Sequence, residues 1–365
     1  VGAVLNVSED HLGSKGIDTL DQLAEVKRIV VEATTGTAVL NADDPRCLEM
    51  ADHTDADSIC YVTTSPSHDL VREHIRSGGR AVVIEKGING DQIAVHDKGA
   101  HIPLLWTHLV PATLEGRARH NVQNAMFAAA IAYSLDVDLE NIRTGLRTFQ
   151  TSFFQAPGRM NLWDEHPFRV LLDYAHNPAA VAAVCQTVDQ FEVAGRRTVV
   201  VTAPGDRRDA DVEAIAQAVA GSFERFVLRT DDNPRGRDRD EVPRLQRRVL
   251  LDAGVAEDAI TVIPDEVAAV DHALATAEPG DLVVLFADET TRTWKQVIRF
   301  DAGAAADSDG SPGVAASRDG HVDRDIEVTD VAGADSDDLE HTFEVDSRRL
   351  VRDERGVRLA RDTDD

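Results

Sequence analysis

The sequence has few cysteines, few lysines and few aromatic residues. Its 365 residues include three cysteines, too few and too scattered for a disulfide framework or a thiolate metal site. Aromatic residues make up 5% of the chain, and only five lysines accompany 33 arginines. Apolar runs such as residues 282–287 are far shorter than the roughly 20 residues that a membrane helix needs. No secretory signal opens the chain, so we expect a soluble cytoplasmic protein.

Positive charge is scarce as well. The 65 acidic residues outnumber the 38 lysines and arginines, which gives a formal net charge of −27. A surface that binds nucleic acid or an anionic membrane needs clustered positive charge, so neither is an expected partner. The apolar fraction of 42% is ordinary for a globular chain. The length suggests two domains of roughly 150 residues with some chain left over.

Residues 1–155 and 156–300 are expected to form these two domains, both of the α/β class. The first contains short apolar strands, a predicted hairpin over residues 81–95, and an alanine-rich helix over residues 121–135. In the second, five continuous apolar strands alternate with helices. This alternation predicts a parallel sheet covered by helices on both faces. Ligands of such sheets bind beyond the carboxyl ends of the strands, so the polar turns there are the candidate sites.

Residues 301–365 have a different character. They carry 19 acidic and 8 basic side chains, many small residues and no sustained periodicity. Such a segment buries too little apolar area to offset its ordering entropy, which predicts a disordered acidic tail. Residues 339–359 could instead hold a weak hairpin. Because the chain begins at Val1, inside a predicted strand, we expect it to be a piece of a longer protein.

Two asparagines open the alanine-rich helix. Asn121 and Asn124 are three residues apart, so both amides lie on one face of its first turn. Paired amides can hydrogen-bond with the donor and acceptor edge of an adenine. The alternative is that Asn121 only caps the helix.

Polar residues also follow predicted strands in both domains. The first strand runs into Ser8-Glu9-Asp10-His11, which could hold a metal or phosphate-bound water, or could simply cap a helix. A later strand runs into residues 173–178, where Asp173 could accept hydrogen bonds from ribose hydroxyls and His176 could contact phosphate. So many polar groups in one turn favour a ligand site over a structural turn.

Two further turns combine carboxylates with guanidinium groups. Arginine can bind a carboxylate with two hydrogen bonds, and clustered aspartates can hold a cationic substrate. Substrate binding is therefore predicted for Asp206, Arg207, Arg208, Asp232, Asn233 and Arg235.

Taken in order, six segments resemble the Mur ligase family of ATP-dependent amide-bond ligases over residues 1–300. They are residues 6–13, 40–45, 120–125, 157–162, 173–178 and 204–209. The resemblance implies the remainder of a P-loop-type central ATPase domain followed by a Rossmann-like C-terminal domain. It also implies ATP and magnesium as cofactors.

Residue by residue, the resemblance implies catalytic and nucleotide-binding roles. The residues concerned are His11 and Lys27 at magnesium, Asn121 and Asn124 at adenine, Arg159 near the interdomain hinge and the nucleotide, Asp173 at the ribose, and His176 on the nucleotide side. Lys27 lies where many relatives carry a carbamylated lysine that holds a second magnesium. A plain lysine on the helix surface is the alternative.

Within the family, the chain most resembles the branch that adds free arginine to the aspartate β-carboxyl groups of a polyaspartate backbone. That branch implies ATP, arginine and a polyaspartate primer as partners, and a homo-oligomeric full-length protein. Residues 232–235 are instead similar to the motif by which another branch binds a diamino acid. A peptidoglycan amino-acid ligase therefore stays open as an alternative.

The sequence lacks the glycine-rich loop, ending in Gly-Lys-Thr or Gly-Lys-Ser, with which the family binds ATP phosphates. Truncation upstream of Val1 would explain the absence, and we then expect this piece alone to be inactive. A non-catalytic nucleotide-binding module is the other explanation.

Overall fold

The computed structural model describes residues 1–10, 12–13, 15–301, 341–345, 348–353 and 355–359. The β-strands in these residues are β1 (Gly2–Val4), β2 (Thr37–Asn41), β3 (Ser58–Thr63), β4 (Arg80–Gly87), β5 (Gly90–Asp97), β6 (Ala100–Trp106), β7 (Asn161–Trp163), β8 (Arg169–Asp173), β9 (Arg197–Val201), β10 (Arg225–Leu228), β11 (Ile260–Val262), β12 (Leu282–Phe286), β13 (His341–Val345), β14 (Arg348–Asp353) and β15 (Gly356–Leu359). The α-helices are α1 (Leu20–Glu32), α2 (Pro45–Glu49), α3 (Asp69–Arg76), α4 (Arg119–Ser134), α5 (Leu139–Thr148), α6 (Pro178–Val188), α7 (Asp209–Ala220), α8 (Glu241–Asp252), α9 (Glu266–Ala275) and α10 (Thr290–Arg299).

The first sheet has the strand order β1-β2-β3-β4-β5-β6. Its first four strands are parallel, whereas β5 and β6 are antiparallel additions at one edge. Side chains alternate between two cores: Ala38 and Leu40 pack on the face that α1 covers, and Val39 packs on the face that α4 and α5 cover. Because both faces are covered, the central strands β2 and β3 are buried along nearly their whole length.

The second sheet has the order β11-β10-β9-β12-β8-β7. Five strands are parallel, as the alternation of strands and helices predicts, and the α/β class is thus confirmed. Val199 and Val201 pack against α6, α7 and α8, while Val200 faces α9 and α10. The antiparallel edge strand β7 was not predicted.

Two parts of the prediction need correction. The predicted hairpin is a three-stranded meander, because β6 pairs with β5 despite Pro103 and a register shift between Ile93 and Ala94. Within the segment predicted as a disordered tail, β13, β14 and β15 form an antiparallel sheet, in which Val357 is buried. Disorder is therefore wrong for these strands, and the hairpin alternative over residues 339–359 is nearer to the structure.

Local capping chemistry begins the helices beside the strand ends. Thr19 and Gln22 form a reciprocal capping box at α1, and Asn177 accepts a hydrogen bond from the Ala180 backbone N–H before Pro178 starts α6. The turns at the carboxyl edges of both sheets are thereby fixed in place. Among the described helices, none has the length and apolar character needed to cross a membrane.

Candidate nucleotide site and strand-end loops

A cavity of about 530 Å³ lies between α4, α5 and the segment that leads into β7. Its size suits a small-molecule ligand. One wall is a stripe of small side chains on α4, which leaves room for a flat group to approach the helix. The wall residues on this helix are Asn121, Asn124, Ala125, Ala128, Ala129 and Ala132.

The two predicted adenine ligands both line this cavity. Asn121 donates its side-chain N–H to the Ala112 carbonyl (2.8 Å), and Asn124 donates to the Asn121 side-chain oxygen (3.1 Å). Each amide keeps a second N–H, and Asn124 also keeps its oxygen, so the pair retains donors and an acceptor. The helix begins at Arg119 with Ala118 at its N-cap, so the alternative that Asn121 caps the helix is wrong.

Arg159 lies at the same cavity and connects it to the turn after β8. Its exposed guanidinium lies 5.6 Å from the centre of the Tyr174 ring, and within the described residues it forms no ion pair. The His176 ring packs edge-on against the Tyr174 ring, with 4.9 Å between the ring centres. Asn121, Asn124 and Arg159 thus line one cavity. His176 lies next to it, because Tyr174 packs against both Arg159 and His176.

Asp173 is buried beneath this turn. One carboxylate oxygen accepts a hydrogen bond from the Met160 backbone N–H and the other from the Ala175 backbone N–H, each at 2.8 Å. Burial raises the pKa of Asp173, against the effect of these hydrogen bonds and of the Arg159 charge. The carboxylate therefore fixes the backbone at Met160, just before β7, to the end of β8. Its predicted contact with ribose stays a prediction.

Of the two predicted magnesium residues, the structure describes Lys27, which lies near the carboxyl end of β1. His11 lies outside the described residues. Lys27 on α1 donates its ammonium group to the backbone carbonyl of Asn6 (2.9 Å), just beyond β1. A protonated amine has no lone pair for a metal, so Lys27 fits a magnesium site only after carbamylation. In the described part of the chain, no group of three metal-ligating side chains lies at this end of β1. The magnesium assignments therefore stay predictions.

Two predicted substrate residues join the two domains. Arg207 pairs with Asp10 (3.2 Å) and with Asp206 (3.1 Å), and its side chain is only 4% exposed. Arg208 pairs with Glu9 (3.1 Å) and with Asp211 (2.6 Å). Both guanidinium groups thus bind carboxylates of the protein.

The remaining substrate candidates lie in the neighbouring loops. Arg235 donates to both oxygens of Asp206 at 3.0 Å. Burial would raise the pKa of Asp206, but Arg235 and Arg207 hold it below its usual value. Asp232 pairs with Arg292 (2.6 Å), and the Asn233 side chain accepts the Arg235 backbone N–H (3.1 Å). The structure brings these loops together at one edge of the sheet.

A buried charge network beneath these loops was missed by the sequence reasoning. Arg229 and Glu266 are both fully buried and lie 2.9 Å apart, and Arg229 also contacts Asp288 (2.8 Å). Arg292 connects Glu266 to Asp232 in the loop above. The sequence signal was weak, because each residue stands alone beside a strand or helix end and only the folded sheet places them together.

Close packing of the two loops gives a direct prediction. A Cβ atom at Gly205 would lie 2.0 Å from the Pro234 carbonyl oxygen, so Gly205→Ala must displace the 231–236 loop. We expect a loss of about 1–3 kcal/mol in the free energy of unfolding, measured by urea denaturation. Gly221→Ala is the control, because its Cβ would meet no atom within 4 Å. Equal stability of the two variants would contradict this account of the loops.

Comparison with known proteins agrees with the fold and with the motif order. The family profile of the Mur ligase middle domain matches residues 1–132, and that of the Mur ligase glutamate ligase domain matches residues 158–288. The chain belongs to the Mur ligase family. The two matched segments contain most of the residues described above, including both asparagines in the first and the strand-end loops in the second.

The most informative relatives of this Mur ligase chain come from two branches. It is 40% identical over 313 residues to a cyanophycin synthetase of Trichormus variabilis, covering 81% of this chain and 32% of the relative. It is 31% identical over 297 residues to the UDP-N-acetylmuramoyl-L-alanyl-D-glutamate–2,6-diaminopimelate ligase of Corynebacterium efficiens, covering 78% and 51%. The chain therefore spans about a third of the length of the cyanophycin synthetases that it matches.

Solved structures show the same fold at lower identity. Folylpolyglutamate synthase of Mycobacterium tuberculosis complexed with ADP has a TM-score of 0.57 at 21% identity, covering 82% of this chain and 63% of that one. A pseudomurein peptide ligase type C from Methanothermus fervidus has a TM-score of 0.54 at 19% identity, covering 81% and 62%. At these identities the likeness concerns the fold alone.

Proposed function

We propose that this chain is part of an ATP-dependent ligase that adds arginine to the aspartate β-carboxyl groups of a polyaspartate backbone. The carboxylate would take the terminal phosphoryl group of ATP to form an acyl phosphate and ADP. The α-amino group of arginine would then attack the acyl carbon, lose a proton and displace inorganic phosphate to leave the amide. ATP, when bound, supplies the transferred phosphoryl group. Family membership and the 40% identity to a cyanophycin synthetase support this proposal over the alternatives.

The observation that carries the nucleotide part is the cavity lined by Asn121, Asn124 and Arg159. An adenine ring needs a flat apolar surface and matching hydrogen-bond groups at its edge. The alanine stripe of α4 offers the surface, and the two amides keep donors and an acceptor. Arg159 adds a positive charge beside the cavity, where it can attract the phosphate groups.

The strand-end loops supply the substrate part of the proposal. Asp206, Asp231 and Asp232 lie near guanidinium groups at the edge of the second sheet. A free arginine could exchange for one of these protein guanidinium groups and pair with the same carboxylates. The ion pairs of Arg207 with Asp10 and of Arg208 with Glu9 hold these loops against the segment that follows β1. Holding both substrates between two domains also excludes water from the acyl phosphate.

A peptidoglycan amino-acid ligase is the second candidate. Its support is the identity of 31% to a diaminopimelate-adding ligase and the residues Asp232, Asn233, Pro234 and Arg235, which are similar to the diamino-acid motif of that branch. A non-catalytic module has only the missing glycine-rich loop in its favour.

The test uses the full-length protein with its upstream segments. We expect ADP release that depends on arginine and a polyaspartate primer. In the same assay, Asn124→Ala should raise the KM for ATP about tenfold, since it removes roughly 1.4 kcal/mol of hydrogen bonding to adenine. Gln123→Ala is the matched control, because Gln123 lies on the same turn but donates to Asn41 (3.4 Å).

Each alternative has its own result in this assay. ADP release that depends on diaminopimelate and a muramoyl dipeptide would favour the second candidate. ATP binding without turnover under both conditions would favour the module. Equal KM values for ATP in the two variants would contradict the adenine assignment while leaving the substrates open.

A further inference from the structure

Two histidines and one glutamate meet on the antiparallel edge of the first sheet, away from the nucleotide cavity. His96 on β5 and His101 on β6 are directly opposite each other, and their rings stack with 4.9 Å between centres. Their Nε2 atoms each lie 3.0 Å from a different oxygen of Glu85 on β4. In the described part of the chain this is the only group of three metal-ligating side chains whose ligand atoms lie within 4.8 Å of one another.

The donor set is suited to a transition metal. Zinc binds imidazole nitrogen and carboxylate oxygen at about 2.0–2.2 Å, so ligand atoms around a tetrahedral zinc ion lie roughly 3.4 Å apart. The two Nε2–oxygen distances of 3.0 Å need to open by a few tenths of an ångström. All three ligand atoms already lie within 4.8 Å of one another, so modest rotations of the three side chains would bring them around one ion. Imidazole ligands also select against magnesium and calcium, which prefer oxygen.

We propose that Glu85, His96 and His101 form a binding site for one divalent transition-metal ion, with zinc as the probe. Binding requires the Nε2 lone pair of each ring, so both imidazoles are then neutral with hydrogen on Nδ1. The hydrogen bonds to Glu85 are exchanged for metal bonds, and any proton held on a ring is released to solvent. No residue of this site belongs to the ligase reaction proposed above.

Three protein ligands leave a coordination position for another group. A cavity of about 290 Å³ adjoins Glu85 and His96 and is lined also by Arg72 and Arg76. Water or a small anion can reach a metal ion through this cavity, and the arginines favour the anion. The metal would join three strands at a sheet edge that Pro103 and a register shift weaken.

Zinc binding by the metal-free full chain is measured by calorimetry. We expect one equivalent to bind and the thermal midpoint to rise, because zinc binds the folded state. Loss of a residue that only hydrogen-bonds to a zinc ligand lowers metal affinity about 10–100-fold. E85Q, H96A and H101A each remove or weaken a ligand itself, so each should lower zinc affinity by more than that. H108A is the matched control, since His108 stacks on Trp106 near β6 but does not contact Glu85. Magnesium should not compete with zinc for this site.

Unfolding of a variant would not obscure the result. The His101 side chain is 51% exposed, so H101A removes a ligand at little cost to packing, and circular dichroism without metal checks its fold. Bound cobalt in place of zinc should give a visible absorption spectrum that the folded H101A lacks. Zinc binding of equal affinity in wild type and all three variants, or no binding by the wild type, would overturn the proposal.

Discussion

Replacing Glu266 by glutamine is expected to lower the free energy of unfolding of the C-terminal domain by about 3 kcal/mol. The variant leaves the fully buried Arg229 guanidinium with Asp288 as its remaining ion-pair partner. Breaking a buried pair costs about 3–5 kcal/mol because the surviving charge stays desolvated, and Asp288 keeps the cost at the lower end. Urea denaturation followed by circular dichroism measures the effect.

The effect should depend on pH in a defined direction. Burial would raise the pKa of Glu266, but the Arg229 charge and the Asp288 backbone N–H lower it below its usual value. A carboxylate with a lowered pKa stabilises the folded state above its unfolded pKa of about 4.3, and this stabilisation is lost as pH falls through the folded pKa. The difference in the free energy of unfolding between wild type and Glu266→Gln should therefore have its full value at neutral pH and decrease toward zero in acid.

An exposed ion pair provides the control for this prediction. Asp240 pairs with Arg244 on α8, and both side chains are about two-thirds exposed, so Asp240→Asn should change stability by at most about 1 kcal/mol. The double variant Arg229→Met/Glu266→Gln should regain part of the lost free energy of unfolding, because it no longer buries the guanidinium charge that Glu266 neutralises in the wild type. Equal losses at Glu266 and Asp240 would show that the buried network does not hold these strand ends together.

The sequence predicts the elements of the second domain well because their signals are local. The final strand was predicted at residues 282–287 and is observed at Leu282–Phe286, since a continuous apolar run between polar turns has few alternatives. Strand β6 was missed because Pro103 interrupts its pattern, although proline is tolerated on an edge strand. The weakest predictions thus fall where pairing with a neighbour compensates for a poor local signal.

The candidate site was predicted less completely, for a different physical reason. The spacing of Asn121 and Asn124 places both amides on one helix face, which is local information. The opposite wall is formed by α5 and by Arg159, and its position depends on how these elements pack. Likewise, nothing local in the sequence pairs Arg229 with Glu266, which lie 37 residues apart in the chain. The alanine spacing on α4 was the one overlooked signal that could have indicated a cavity.

Filling the cavity from α5 should separate nucleotide binding from stability. Gly145 lines the cavity, and a Cβ atom there would meet nothing within 4 Å, so the side chain of Gly145→Leu begins in open space. Glycine inside a helix is about 1 kcal/mol less favourable than alanine, so this variant should be as stable as the wild type or slightly more stable. Its leucine side chain occupies the space proposed for adenine, and we expect ADP affinity to fall by at least about 100-fold.

Two measurements on the full chain decide this prediction. Ligand-observed NMR with ADP, which suits weak affinities, should give a signal with the wild type and none with Gly145→Leu. Gly221→Leu is the matched control, because Gly221 also faces open space but lies beyond α7 in the other domain. Thermal unfolding should give Gly145→Leu a midpoint at or above that of the wild type. Equal ADP signals from the two leucine variants would mean that the nucleotide binds elsewhere, whereas a lowered midpoint would mean that the cavity is less open than its geometry indicates.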